Sequence, residues 1–238
     1  MNLLSGLRVK LFADGADKAE ILRLSRNPLI QGFTTNPSLM RKAEIRDYEA
    51  FCRDTLECIG GRPIAFEVFA DEFCEMERQA HKIASWGANV FVKIPITNSE
   101  GQSSLPLARR LSVEGVQLNL TAVFTLEQVR GIVEALSPGC SSYISVFAGR
   151  IADTGRDPIP ILREAVSILA PNPRLQLIWA SPREVLNIFQ ADEIGCQVIT
   201  ATSDILGKLN NLGKDLNEFS LETVRAFRSD AIASGFTL

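Results

Sequence analysis

The sequence predicts an α/β protein of one domain: a (β/α)8 or TIM barrel over residues 1–238, with an extra C-terminal helix at 216–236. Two observations carry this. Eight short apolar runs recur along the chain, and each is followed by a stretch of helical period. A length of 238 residues supports one large core, and no low-complexity linker or second rhythm divides it.

The strands are expected, in order, at "VKLFAD" (9–14), "QGFTT" (31–35), "IAFEVFA" (64–70), "NVFVKIPI" (89–96), "VQLNLT" (116–121), "YISVFAG" (143–149), "LQLIWAS" (175–181) and "QVITAT" (197–202). Between them, "TLEQVRGIVEAL" (125–136) offers Thr125 as N-cap with Gln128 three residues on. Its Leu126, Val129, Ile132, Val133 and Leu136 fall on one helical face. "DEFCEMERQAHKIASWG" (71–87) opens with acids and runs to Gly87, which suits a helix dipole and a C-cap. The segment 216–236 lies beyond the eighth unit and reads as amphipathic, placed to close the barrel or reach a neighbouring subunit.

Composition excludes several classes of function. Twenty-five Lys and Arg against 28 Asp and Glu leave a net charge of −3, so neither a polyanion-binding surface nor a nucleic-acid partner is expected. Arg8 and Lys10 interrupt the start before a signal-length apolar stretch builds, and no window reaches the roughly 18 apolar residues of a membrane span. The expectation is a cytoplasmic protein with no membrane partner. Cys52, Cys58, Cys74, Cys140 and Cys196 are odd in number and scattered, which speaks for reduced, packing thiols.

Side chains alternate along a barrel strand, and strand C-terminal ends face the mouth where these folds place chemistry. In "NVFVKIPIT" the aliphatic Val90, Val92 and Ile94 share the face that suits helix packing. Lys93 therefore points into the lumen, near its upper end. Asp14 ends the first strand, Asn36 follows the second, Glu67 sits in the third, Asn119 and Thr121 share a face of the fifth, and Ser145 and Ser181 close the sixth and seventh. Singly, each has an ordinary reading: a snorkelling lysine, strand-end carboxylates in caps or ion pairs, an asparagine turn before Pro37. Together they would leave a lumen of uncompensated polar groups at about 1–3 kcal/mol each, and a site accounts for them better.

His81, the one histidine, falls inside an expected helix and reads as surface or structural. That removes a His-rich metal centre and a Ser-His triad. No Gly-rich nucleotide cradle is present, so no cofactor and no metal are expected. Covalent catalysis by an amine remains.

In matching order, "FADGAD" (12–17), "GFTTNPSLM" (32–40), "FEV" (66–68), "VKIPIT" (92–97), "NLTAVFT" (119–125), "SVFAGRIAD" (145–153), "WASPRE" (179–184) and "ITATSDIL" (199–206) resemble the transaldolase family, in its short branch with the fructose-6-phosphate aldolases. The resemblance implies a Schiff base between Lys93 and a ketose-phosphate carbonyl, with Asp14 as the base that takes the C4 hydroxyl proton. It implies a water-mediated proton path through Glu67 and Thr121. Asn36 and Asn119 would hold the three-carbon unit beside Ser145, and Arg150, Ser181 and Arg183 would bind the phosphate. An amine must be unprotonated to attack, so the apolar strand around Lys93 is expected to disfavour the ammonium by desolvation.

Two departures stand out. Gly15 follows Asp14 where relatives usually carry Thr or Ser, which removes an expected local hydrogen bond, and Pro182 within the Ser-x-Arg segment alters how Arg183 is presented. Sugar phosphates are the implied partners, and a homo-oligomer is expected. Glu67 and Phe147 are the transaldolase choices where the aldolases tend to have Gln and Tyr, so transfer of dihydroxyacetone is expected over its release. The alternatives are a lyase of the same fold and a catalytically idle barrel that serves as a binding module.

Overall fold

The structure, a computed structural model, describes Leu4, residues 6–235 and Thr237. Among these residues the chain runs β1 (Lys10–Asp14), α1 (Lys18–Ser25), β2 (Ile30–Thr34), α2 (Pro37–Lys42), α3 (Tyr48–Cys58), β3 (Ile64–Glu67), α4 (Phe73–Ala84), β4 (Val90–Pro95), α5 (Leu105–Val113) and β5 (Leu118–Val123). It continues with α6 (Leu126–Ala135), β6 (Ser142–Val146), α7 (Ala148–Ala152), α8 (Ile159–Leu169), β7 (Leu175–Trp179), α9 (Leu186–Glu193), β8 (Val198–Thr202), α10 (Ser203–Gly207) and α11 (Leu216–Ser234). The eight strands close a parallel barrel in sequence order, with β8 returning to β1.

Local chemistry explains several boundaries. Asp17, Asn36, Asp47, Thr125 and Asp215 each accept a backbone N–H at a helix start, and Thr125 and Gln128 form the expected reciprocal capping box. The expected end of α4 at Gly87 is corrected: the helix stops at Ala84 with Ser85 as a right-handed cap. The third strand is also shorter than "IAFEVFA" suggested. The Gln79 side chain accepts from Phe69 N and Ala70 N at 2.9 and 3.1 Å, which takes those donors from the ladder. The sixth strand ends at Val146, because Phe147 already caps α7.

Two apolar regions follow from the alternation. Val90, Val92 and Ile94 belong to the shell between strands and helices, while Phe12, Ala65, Phe91, Tyr143, Ile178 and Val198 form a plug inside the barrel. Phe91 and Tyr143 pack tilted with centroids 4.3 Å apart, and Phe12 meets Tyr143 edge-on at 5.7 Å. Gly32 leaves room for the Phe12 ring, which a Cβ there would strike. This plug is the apolar floor beneath the mouth.

The extra helix forms as α11, and Phe236 of the expected segment lies outside the described residues. Its packing on the barrel does not: no α11 residue is buried, and Leu216, Phe219, Leu221, Val224, Phe227 and Ile232 are exposed.

Candidate active site

Register assembles the mouth. Lys93 pairs with Glu67 on one side and Asn119 on the other, so three polar side chains from β3, β4 and β5 stand in one layer above the plug. Lys93 is buried, and its Nζ lies 3.0 Å from Glu67 Oε2 and donates to the Thr35 carbonyl at 3.0 Å. The expectation of an amine in apolar surroundings is thereby corrected. The side chain is buried, and its head has an anion and a carbonyl as neighbours. Tyr48 Oη donates to the Glu67 backbone carbonyl at 2.7 Å and steadies the end of β3.

Asp14 faces this layer from β1. Burial holds its carboxyl above the ordinary carboxylate range, against the Lys93 charge and hydrogen bonds from Thr34 and Asn36, which act in the lowering direction. Thr34 Oγ1 donates to Asp14 Oδ1 at 2.7 Å, so the hydroxyl missing at Gly15 is supplied by the neighbouring strand. Asn36 Oδ1 accepts from Leu39 N as the α2 cap, and its Nδ2 donates to Asp14 Oδ2 at 3.4 Å.

On the other side, Ser145 Oγ donates to Asn119 Oδ1 at 2.7 Å. Among the described residues, Asn119 Nδ2 and Thr121 Oγ1 are buried without a protein partner. Buried polar atoms are ordinarily satisfied, so these two are fitted for a guest or a water. Ala122, next to Thr121, sits at φ 57, a left-handed position that costs a non-glycine residue about 1–3 kcal/mol.

Arg150, Ser181 and Arg183 come together at the rim. Ser181 does not close the seventh strand but lies beyond it, in left-handed backbone at φ 59. Its carbonyl approaches Gly149 so closely that no Cβ fits, and this contact brings α7 with Arg150 against the loop bearing Arg183. The Arg150 guanidinium stands 5.4 Å from the Phe147 ring centroid. Arg183 is not free: Nε donates to Asp153 Oδ1 at 3.0 Å and Nη2 to Asp153 Oδ2, and that guanidinium holds the Asp153 carboxyl below its usual range. The turn after Pro182 thus presents Arg183 with one edge occupied.

The expected residues Asp14, Asn36, Glu67, Lys93, Thr121, Ser145, Phe147, Arg150, Ser181 and Arg183 line one cavity of about 650 Å³. Asn119 is wholly buried behind its wall. Thr34, Thr200, Thr202 and Asp204 line the same cavity, and sequence reasoning passed over them. The signal was present in "QVITAT", whose alternation sets Val198, Thr200 and Thr202 on one face. His81 is half exposed on α4, with Nε2 3.3 Å from Glu114, well outside this cavity. Glu77, close to both, already binds Arg110 through both oxygens.

Fold and mouth define a (β/α)8 barrel with a buried lysine–glutamate pair and a second carboxylate at the C-terminal ends of its strands. The family model described as Transaldolase/Fructose-6-phosphate aldolase matches residues 11–237, and the chain belongs to that family. It is 33% identical over 199 residues to a protein of Dehalococcoides mccartyi described as "Probable transaldolase", covering 83% of this chain and 88% of that one. A "Probable transaldolase" of Methanococcus maripaludis is 32% identical over 204 residues, covering 85% and 90%. Among solved structures, KGPDC from Streptococcus mutans superposes with a TM-score of 0.58 at 10% identity, over 83% of this chain and 89% of that one, a likeness of fold alone.

Proposed function

We propose that this chain is a transaldolase that moves a dihydroxyacetone unit from a ketose phosphate, fructose 6-phosphate or sedoheptulose 7-phosphate, to an aldose phosphate through a Schiff base on Lys93. The observation that carries the reading is the Lys93 amine, buried at the mouth 3.0 Å from Glu67 on a cavity that Asp14 shares. Glu67 takes the ammonium proton, and the freed amine attacks the ketose carbonyl. The same carboxylate, with Thr121 and a water, then moves the protons of carbinolamine dehydration. Asp14, made more basic by burial, takes the C4 hydroxyl proton as the C3–C4 bond breaks. The aldehyde leaves, and the enamine stays on Lys93.

Asn36, Asn119 and Ser145 hold the three-carbon unit, and Arg150, Ser181 and Arg183 hold the phosphate at the rim. Bond formation to an acceptor aldehyde retraces the path, with Asp14 returning the proton. The chemistry needs no metal or cofactor. A cytoplasmic homo-oligomer, with the apolar face of α11 covered by another subunit, completes the reading.

The test is borohydride reduction in the presence of fructose 6-phosphate, followed by peptide mass analysis. A mass increase on Lys93 is expected. A chain that stays unmodified under these conditions is an idle barrel, and the reading falls.

A further inference from the structure

We propose that Thr34 and Thr200 form a hydroxyl chain that positions Asp14 and stabilises its ionised form, so that both threonines are positioning residues acting through Asp14. The inference rests on the proposed role of Asp14 as proton acceptor and adds the device that keeps it ready.

The chain has one consistent direction. A threonine hydroxyl carries a single hydrogen and two lone pairs. Thr34 Oγ1 lies 2.7 Å from Asp14 Oδ1 and 2.6 Å from Thr200 Oγ1. An ionised carboxylate only accepts, so the Thr34 hydrogen goes to Asp14. Thr200 must then donate to Thr34. A donor whose own oxygen accepts a hydrogen bond is polarised and donates more strongly. Thr34 and Thr200 are both buried, and burial keeps competing water from the pair.

The arrangement also distinguishes the two carboxylate oxygens. Oδ1 is pinned by the hydroxyl chain, while Oδ2 has the Asn36 amide at a long 3.4 Å. A proton arriving on Oδ2 leaves the chain intact. One arriving on the free lone pair of Oδ1 would weaken the bond that oxygen accepts from Thr34. Oδ2, held only by that long contact, is the oxygen assigned to the substrate proton.

The other charged groups on this cavity are Lys93 from β4, Glu67 from β3, Arg150 from α7, Arg183 from the loop after β7 and Asp204 from α10. Neither threonine variant alters any of them. A change in pH profile can then be traced to the hydroxyls.

The test compares pH profiles of the retro-aldol rate with fructose 6-phosphate in Thr34→Val, Thr200→Val and the double variant, each close to isosteric. Loss of the donor to Asp14 should move the acid limb of Thr34→Val upward by about one to two pH units, the size of a hydrogen bond to a charged group. Thr200→Val should move it by about 0.3 unit, since a neighbour's polarisation contributes roughly 10–30% of a bond. In the Thr34→Val background, Thr200→Val should move nothing. Thr34→Ser and Thr200→Ser should restore the original limb. Schiff-base trapping of free dihydroxyacetone, which does not use Asp14, should keep its pH profile in every variant.

Unmoved limbs in both single variants, or shifts that add in the double variant, overturn the hydroxyl chain. Should a Val variant fail to fold, Ala at the same position gives the same comparison. Asp14→Asn separates the two levels. If it still cleaves fructose 6-phosphate, the base assignment itself fails. If it is inactive while the threonine limbs stay put, only the hydroxyl chain does.

Discussion

Replacing Lys93 with Met tests the buried ion pair as well as the chemistry. Lys93 and Glu67 are 8% and 13% exposed, and the ammonium satisfies both the Glu67 carboxylate and the Thr35 carbonyl at 3.0 Å. Lys93→Met fits sterically but strands an anion and a carbonyl in the lumen. Breaking a buried pair by removing one partner costs about 3–5 kcal/mol. For a chain of this size that lowers Tm by roughly 6–20 °C, at about 2–4 °C per kcal/mol. Lys93→Met/Glu67→Leu removes both charges and should recover most of the loss, because a buried pair and its hydrophobic replacement are often nearly equal in stability. The assay is thermal unfolding of the three proteins at pH 7, alongside turnover and borohydride trapping, both of which Lys93→Met should lose. If Lys93→Met melts with the unmodified protein and the double variant is no better, the pair does not carry this energy. If Lys93→Met still turns over, the Schiff-base mechanism is wrong.

Arg183→Ala should weaken use of phosphorylated donors roughly ten- to a hundredfold, from one charged hydrogen bond, and spare unphosphorylated dihydroxyacetone; equal loss on both would make Arg183 a structural partner of Asp153 only. Phe147→Tyr places a hydroxyl on the cavity wall it shares with Glu67 and Thr121, where it can position water against the enamine. The ratio of released to transferred dihydroxyacetone should rise at fixed acceptor, and an unmodified protein that already releases as fast as it transfers is a lyase. Asp14 has a folded pKa above its unfolded value near 3.8, so the fold binds more protons than the unfolded chain between the two, and the site's contribution to stability falls as pH rises through that window. Asp14→Asn should therefore match the unmodified protein at pH 3 and melt higher at pH 7; a lower Tm at pH 7 contradicts this. Val224→Glu/Phe227→Glu on the exposed face of α11 should lower the mass measured by sedimentation, and an unmodified chain that already sediments as a monomer refutes the homo-oligomer.

By itself, the sequence determined the number and order of the strands, the face on which Lys93 stands and the residues that crowd the mouth. These follow from period-two alternation and from capping, which act over a few residues and can be read locally, as in "NVFVKIPIT" and in Thr125 with Gln128. What Lys93 touches was decided by tertiary structure. The register of β3 on β4 sets Glu67 against it, and the turn after β2 aims the Thr35 carbonyl at it. The hydroxyl chain on Asp14 joins threonines 166 residues apart, and the clasp on Arg183 reaches back 30 residues to Asp153. The left-handed turns at Ala122 and Ser181 belong to residue types that rarely adopt them. Barrel closure places these groups within hydrogen-bond reach, and only then do their burial and charge set each other's chemistry. No local pattern encodes that distance.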